Sequence, residues 1–233
     1  MTKKIGNSAK DSGYLKRLKD AIAHDKDHPR NNGVRMQAHH IISGDGMKRS
    51  KMGKKIEQFG YNINYLPNLV FIPCTLQGAC YLGVQPHRGN HDFSMEQDDY
   101  QDDLEPRGYH ELVASKLRRL EFPIDKECDT ETANDRAKVV EALDALSKNI
   151  LNLIQFKPAE APLTKLASHF GAGAVGCGGV DSITKHMPTR PCPVDRKHKV
   201  QAGHPKLSHG PLQASENITF ALSGGRFRLK VKN

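Results

Sequence analysis

The stretch QAHHIIS, residues 37–43, places two histidines side by side at the edge of an apolar run. The run from residue 34 to residue 42 is short and apolar, which predicts a β-strand. Successive side chains of a strand point to opposite faces, so His39 and His40 cannot easily hold one metal ion together. The doublet therefore predicts a division of labour, with one imidazole for a metal ion and the other for a second reactant.

A second pair of histidines lies in PHRGNHDF, residues 86–93, where His87 and His91 are four positions apart. Pro86 suits the first position of a helix, and on a helix both imidazoles would lie on one face, about one turn apart. Three histidines with an open position make a catalytic type of metal site, and imidazole suits zinc, nickel and related ions. We therefore expect one histidine of the doublet to share a metal ion with His87 and His91.

The surrounding pattern predicts a small α+β fold. A second short strand is expected at residues 68–73, where NLVFIP is stopped by proline. The basic stretch SGDGMKRSKMGKK, residues 43–55, contains three glycines and predicts a loop. The spacing of apolar residues predicts helices over residues 11–24, 54–60, 108–122 and 130–156. Thr130 is a candidate cap of the last of these helices.

The composition changes after Pro158, and we place a boundary near residue 157. Residues 158–214 are rich in glycine, proline, histidine and lysine, and GAGAVGCGG cannot make a stable helix or a good strand. The last residues, NITFALSGGRFRLKVKN, predict a β-hairpin that turns at Ser223–Gly225. The chain is thus expected to have one domain at residues 1–157 and a basic C-terminal extension, of unknown role, at residues 158–233.

The net charge of +9 is unevenly distributed. Residues 1–60 carry +8, residues 61–156 carry −7 and residues 157–233 carry +8. Basic surfaces attract phosphate backbones, although a solvated surface is equally compatible with this charge. The N-terminus lacks the apolar region of a secretory signal, and no window approaches the roughly 20 apolar residues of a membrane span, so we expect no membrane partner.

Five scattered cysteines, with no CxxC motif, indicate reduced thiols in a cytosolic setting rather than a disulfide scaffold. The spacing of a possible zinc-binding set in the extension is irregular, which favours incidental residues in a basic, proline- and glycine-rich segment. That set is Cys177, His186, Cys192 and His198. Cys74 and Cys80 are expected to be small buried apolar residues.

The order AHHIIS, NYLPNLVFIP, HRGNHDFSMEQDDY resembles the AHH branch of the HNH/endonuclease VII nucleases over about residues 35–104. The resemblance is carried by the triplet at residues 38–40, by Asn68 and Leu69, and by H-x-G-x-H followed by Tyr100. It implies a ββα-metal (His-Me finger) core embedded in surrounding helices, which makes residues 1–157 a nuclease domain. Many relatives have proline where this chain has Ser43, and we expect that difference to alter the loop more than the chemistry.

The resemblance also implies roles for individual residues. His39 would bind the metal ion, and His40 would be the general base that takes a proton from water. Asn68 would hold the loop of the hairpin and orient His40. His91 and His87 would complete the site of one divalent ion (zinc, magnesium, manganese or nickel), with contact to phosphate as the alternative role of His87.

Basic side chains near these motifs are candidates for nucleic-acid binding. Arg88, between the two helix histidines, is expected to contact the scissile phosphate. No pattern of aromatic and basic residues for base stacking is apparent, so sequence-specific recognition is not expected. The candidates for the backbone, each of which would otherwise be an ordinary exposed side chain, are Lys48, Arg49, Lys51, Lys54 and Lys55.

Together these features predict a metal-dependent DNase with little sequence specificity. The resemblance further implies an antibacterial toxin, either a polymorphic toxin or a type VI secretion effector. Such a toxin is made in the bacterial cytoplasm without a Sec signal and is delivered into a target cell, with secretion machinery or an adaptor as a possible partner. An acidic immunity protein would protect the producer. The alternatives are an RNase of the same fold and a zinc-stabilised nucleic-acid-binding protein without catalysis.

Overall fold

The computed structural model describes residues 6–88, 107–121, 124, 133–171, 173–202, 216–222 and 227–232. The described helices are α1 (Tyr14–Ile22), α2 (Gly44–Ser50), α3 (Gly53–Gln58), α4 (Leu76–Leu82), α5 (Arg107–Arg119) and α6 (Ala133–Phe156). The described strands are β1 (Met36–His40), β2 (Leu69–Pro73), β3 (Val200–Gln201) and β4 (Glu216–Asn217). Among these helices, none is both long and apolar enough to cross a membrane.

Strands β1 and β2 pair antiparallel, with His39 opposite Val70 and His40 opposite Leu69. All five side chains of β2 are buried, which explains its unbroken apolar sequence. Both strands appear close to where the sequence predicts them, although β1 is shorter than the expected span of 34–42. The mixture of helices with this small antiparallel sheet fits the expected α+β class.

The predicted helix carrying His87 and His91 does not begin at Pro86, because residues 85–88 have no helical structure. His87 therefore lies on a segment without regular secondary structure. Its backbone amide donates a 2.8 Å hydrogen bond to the carbonyl of Pro73, which ties this segment to the end of β2. His91 and Tyr100 lie outside the described residues.

The basic stretch after the histidine doublet is not the predicted loop, because most of it forms α2. Its last residues begin α3, which corresponds to the helix predicted at residues 54–60. The Ser43 hydroxyl accepts a hydrogen bond from the amide of Gly46, which caps α2, and Lys51 ends that helix in the left-handed region at φ 64°. A Cβ on Gly46 would lie 2.4 Å from the side chain of Val113 on α5. The glycine that suggested a loop is therefore needed for the close packing of two helices.

The other predicted helices are present, with narrower bounds. Buried residues of α6 contribute to the main core, and its Ser147 hydroxyl donates to the carbonyl of Pro67, just before β2. The helix predicted at 108–122 is α5, which packs against α2. The expected cap Thr130 lies outside the described residues.

The extension contains mostly turns between residues 158 and 202, as its glycine- and proline-rich sequence predicts. It packs on α4 through a second, smaller core formed by Leu76, Ala79, Cys80, Leu166, Phe170, Cys177 and Ile183.

The predicted C-terminal hairpin is not seen in the described residues 216–222 and 227–232. Strand β4 pairs with β3 instead. The rings of Phe220 and Phe227 do meet, with 5.9 Å between their centroids. The backbone amide of Leu229, however, donates to the side chain of Gln155 on α6, so this arm bonds to a helix rather than to a partner strand. The expected turn at Ser223–Gly225 lies outside the described residues.

Candidate active site

A cleft of about 1380 Å³ is bordered by β1, by α2 and by the start of α5. His39, His40 and His87 all line it. Among the described residues that line the cleft, Asp45 is the one carboxylate. The lysines and the partly exposed arginines of its wall are Lys10, Lys19, Arg30, Arg35, Lys48, Lys51 and Lys54. The cleft is therefore strongly basic.

The ring of His39 is held by the buried hydroxyl of Tyr109. Nε2 of His39 lies 3.0 Å from this hydroxyl, which itself donates a 2.5 Å hydrogen bond to the carbonyl of Ile41. A phenol has one hydrogen to donate, so Nε2 of His39 is the donor to Tyr109. In the neutral ring the lone pair is then on Nδ1, and Nδ1 lies 3.2 Å from Nε2 of His87.

His39 and His87, which we call the histidine pair, fit a shared metal ion. Two nitrogen ligands at the usual distance from one tetrahedral zinc ion are about 3.3 Å apart. The separation of 3.2 Å between Nδ1 of His39 and Nε2 of His87 is close to that value. The hydroxyl of Tyr109 fixes the tautomer of His39, as the outer partners of metal-binding histidines usually do. The third predicted ligand, His91, lies outside the described residues.

His40 has different neighbours from His39, as the alternation of side chains along a strand predicts. Its Nε2 lies 3.0 Å from Oδ1 of Asn64, and its ring packs against Tyr14 with 4.5 Å between the centroids. Both amide hydrogens of Asn64 are used, in bonds to the carbonyl of Ala9 and to Oδ1 of Asn62. Nε2 of His40 is therefore the donor to Asn64, and Nδ1 carries the lone pair of the neutral ring.

Burial lowers the pKa of His40 to about 4. The hydrogen bond to Asn64 and the charge of Asp11 act in the opposite direction, whereas Lys10 and Arg17 lower the pKa further. At neutral pH the ring is thus uncharged and able to accept a proton. This is the protonation state that a general base needs.

Asn68 holds the loop after β1, as the sequence analysis expects. Its Oδ1 accepts a 2.6 Å hydrogen bond from the amide of Ile42 and lies 3.1 Å from the hydroxyl of Ser147. Its Nδ2 donates to the carbonyls of Ile42 and Ile63. All these bonds are buried, so Asn68 fixes the end of the strand that carries the doublet.

The second role expected of Asn68, the orientation of His40, corresponds instead to a contact made by Asn64. Oδ1 of Asn64 is the atom within hydrogen-bond distance of Nε2 of His40. The side-chain amide of Asn68 is instead bonded to backbone carbonyls. The segment NINYLPN contains three asparagines, and nothing in its pattern distinguishes them.

Arg88 lines the cleft, but its guanidinium is held by groups within the protein. Its side chain is 0 % exposed, and its terminal nitrogen lies 2.6 Å from Oδ1 of Asp181 in the extension. Its Nε donates to the carbonyl of Cys74. The contact of Arg88 with a scissile phosphate therefore stays a prediction.

The five basic residues predicted to bind nucleic acid are divided by the structure. Lys48, Lys51 and Lys54 are exposed and line the cleft. Arg49 forms a 2.9 Å ion pair with Glu111 on α5. Lys55 is not among the residues that line the cleft.

Two residues beside the site were missed by the sequence analysis in addition to Asn64. Tyr109 lies in a predicted helix, and only the fold brings its hydroxyl to His39. His110 is 7 % exposed, and its Nδ1 lies 2.7 Å from the hydroxyl of Ser43. Ser43 thus links the cap of α2 to α5.

Comparison with known families agrees with this geometry. The model of AHH, described as a nuclease family of the HNH/ENDO VII superfamily with conserved AHH, matches residues 18–150. The match spans both strands of the first sheet and most of α6. No curated protein and no solved structure gave a match. Because the family model covers more than half of the chain, the protein belongs to the AHH family of nucleases.

Proposed function

We propose that this nuclease hydrolyses the phosphodiester bonds of DNA, with little sequence specificity, and that it requires a divalent metal ion. One observation carries the proposal: two imidazole nitrogens, Nδ1 of His39 and Nε2 of His87, converge to 3.2 Å beside a third, neutral imidazole in a basic cleft. In this arrangement the first two imidazoles could bind a cation, and the third could accept a proton from water.

In the proposed reaction, His40 acts on the attacking water. Its Nδ1 accepts a proton while the water oxygen forms a bond to phosphorus and the bond from phosphorus to the 3′ oxygen breaks. The hydrogen bond from Nε2 to Asn64 holds the ring in the tautomer that leaves Nδ1 available. A positioned base of this kind typically contributes about 10²–10⁴-fold to the rate.

The histidine pair would hold the divalent ion, together with His91 as the resemblance implies. When bound, such an ion supplies positive charge that stabilises the phosphate and the leaving 3′ oxygen. Tyr109 keeps His39 in the tautomer that offers Nδ1 as a ligand. Zinc and nickel suit this imidazole donor set, and the chemistry is also open to magnesium and manganese.

The cleft favours a polyanion. Lysines from α2, from α3 and from the turn between them line the wall beside the doublet, and contacts to backbone phosphate carry no sequence information. The proposed lack of specificity follows from these contacts. DNA is the substrate we propose, and RNA is the alternative that the experiment below tests.

The proposed biological role is that of an antibacterial toxin, which the resemblance to the AHH branch supports. A basic cleft is a suitable target for an acidic immunity protein, because opposite charges speed association and occupy the substrate site. Expression in a bacterium without such an inhibitor is expected to degrade DNA and stop growth. The His40→Ala variant should be tolerated, and equal toxicity of this variant would contradict the proposed role.

Digestion of plasmid DNA and of total RNA tests the activity. The purified chain is incubated with magnesium, manganese, nickel or zinc, with and without EDTA, beside His40→Ala and the control His24→Ala, which changes an exposed histidine. We expect the chain and the control to cut plasmid in a metal-dependent way and His40→Ala to be inactive. Intact plasmid with every metal would refute the DNase, and degradation of RNA alone would assign the same fold to an RNase.

A further inference from the structure

A second group of potential metal ligands lies away from the cleft, between the extension and α4. The group consists of Cys80, Cys177, Cys192 and His198, which we call the cysteine–histidine cluster. Its four ligand atoms all lie within 4.8 Å of one another. Nε2 of His198 is 3.2 Å from the sulfur of Cys177 and 3.2 Å from the sulfur of Cys192.

These separations suit a small tetrahedral ion. In a zinc site with ordinary bond lengths, a sulfur and a nitrogen ligand are about 3.6 Å apart and two sulfurs about 3.8 Å apart. Cys80 and Cys177 are 0 % exposed, and His198 is 9 % exposed. The cluster is therefore largely closed to solvent, and four protein ligands would fill the coordination shell of zinc.

The backbone around the cluster is shaped to surround the sulfurs. The amide of Gly179 donates to the sulfur of Cys177 at 3.4 Å, and the amide of Arg196 donates to the sulfur of Cys192 at 3.3 Å. A Cβ on Gly176, which has φ 79°, would lie 2.6 Å from the sulfur of Cys80. Only glycine allows this turn to bring Cys177 so close to Cys80.

We propose that Cys80, Cys177, Cys192 and His198 bind one structural zinc ion that fastens the C-terminal extension to α4 of the nuclease domain. The proposal is independent of the activity proposed for the cleft. It also corrects the sequence analysis, which set the possible zinc site aside and included His186 in it. Nε2 of His186 lies 2.7 Å from the carbonyl of Gly176, where it supports the turn, and Cys80 occupies the fourth position.

The ion would organise a segment that reaches the nuclease site. Four residues after Cys177, the carboxylate of Asp181 accepts a 2.6 Å hydrogen bond from the amide of Leu76, the first residue of α4. The same oxygen pairs with the buried guanidinium of Arg88, the neighbour of His87 in the chain. The cluster would thus hold the loop of Asp181, and Asp181 in turn supports the segment that carries His87.

Metal content of the full-length chain tests the proposal. The chain is purified with zinc and dialysed, and the His39→Ala variant is treated in the same way to weaken the cleft site. We expect His39→Ala to retain one zinc ion per chain. Adding Cys192→Ser should remove that zinc, whereas adding Cys74→Ser, a buried cysteine outside the cluster, should not.

Cobalt substitution tests the ligands without relying on a variant that folds poorly. Cobalt bound to the unaltered cysteine–histidine cluster is expected to show sulfur-to-metal charge transfer and the intense visible bands of a tetrahedral ion. Absence of charge transfer in a folded, cobalt-loaded chain would overturn the proposal. A disulfide among Cys80, Cys177 and Cys192 in protein purified under reducing conditions would also overturn it. So would the absence of bound zinc from the His39→Ala variant in which the cluster is unaltered.

Discussion

One short segment of chain connects the histidine pair with the cysteine–histidine cluster. It begins at Cys80, a member of the cluster in α4, and ends at His87, a member of the pair. The pair offers nitrogen ligands at the wall of an open basic cleft, next to a neutral histidine. The cluster offers mainly sulfur ligands in a site that is largely closed to solvent. An open metal site leaves a coordination position for substrate, whereas a closed site leaves none. Variants of the pair should therefore affect the reaction, and variants of the cluster should affect stability.

The largest expected effect separates the two histidines of the doublet. His40→Ala and His39→Ala should each lower the rate of plasmid cutting by at least about 10²-fold, because one removes the base and the other a metal ligand. Only His39→Ala should weaken metal binding in the cleft, measured by calorimetric titration of protein whose cysteine–histidine cluster already holds zinc. Equal metal affinities of the two variants would contradict the assignment of His39 as the ligand.

Loss of zinc from the cluster should act on stability. Cys192→Ser is expected to lower the free energy of unfolding by more than about 4 kcal/mol, as removal of a structural metal does. The melting temperature of His39→Ala should still fall when chelator is added, because this variant keeps the zinc of the cluster, whereas that of Cys192→Ser should not. Thermal unfolding followed by circular dichroism, with and without chelator, measures both, and Cys74→Ser is the control. A chelator-resistant melting temperature would remove the distinction between the two sites.

Variants of the two asparagines near the doublet should also differ, one mainly in activity and the other mainly in stability. Asn64→Ala is expected to lower the cutting rate by about 10–100-fold, as loss of a partner that orients a functional imidazole does. Asn68→Ala should mainly lower stability, by about 2–4 kcal/mol, because it leaves buried backbone groups without partners. Steady-state kinetics and urea unfolding of both variants test this. A stable but inactive Asn68→Ala would return the orienting role to Asn68.

The basic wall of the cleft should act on binding. Replacement of Lys48, Lys51 and Lys54 by glutamine is expected to weaken DNA binding at every sequence and to reduce the salt dependence by about one unit of slope for each phosphate that is no longer neutralised. Binding of the His40→Ala protein to labelled DNA at several salt concentrations measures the slope. Arg49→Gln is the matched control, since Arg49 is paired with Glu111. An equal effect of the control would show that these lysines act through overall charge alone.

The smallest expected effect concerns a histidine away from both sites. Burial lowers the pKa of His28 to about 4, against the charge of Asp25 and with the help of Lys232 and Arg30. The unfolded chain, with an ordinary pKa of about 6.5, therefore binds more protons between those values, so stability is complete above about pH 6.5 and falls as the pH drops towards 4.

His28→Asn should reduce this loss of stability in acid by roughly 1–3 kcal/mol, because asparagine does not titrate and can still cap the turn at Pro29–Asn32. Urea unfolding at several pH values measures the change. The exposed His24, replaced in the same way, is expected to leave the acid dependence as it was. An unchanged dependence in His28→Asn would mean that other groups are responsible.

Local pattern was sufficient for the elements that depend on neighbours in sequence. The two strands and the main helices follow from the spacing of apolar residues, and the division between His39 and His40 follows from the alternation of a strand. The roles proposed for the doublet came from the family resemblance, which rests on the fixed order of the triplet, the second strand and the second histidine motif.

What the sequence could not provide depends on contacts between distant residues. The ion pair of Arg88 could not be predicted, because its partner, Asp181, lies far along the chain in the extension. Cys80 is buried in the smaller core, as expected, but its proximity to Cys177, Cys192 and His198 depends on the same long-range contacts. The glycines after the doublet indicated a loop, although Gly46 is the contact that lets α2 approach α5.

The pairing of Arg88 with Asp181 also has a consequence for the time at which the protein becomes complete. A ribosome makes the strands, the doublet and His87 well before it makes Asp181 and the last two cysteines of the cluster. Until those residues emerge, the guanidinium next to His87 lacks the carboxylate that it has in the finished protein. The support of the segment that carries His87 is therefore complete only after Asp181 has been synthesised.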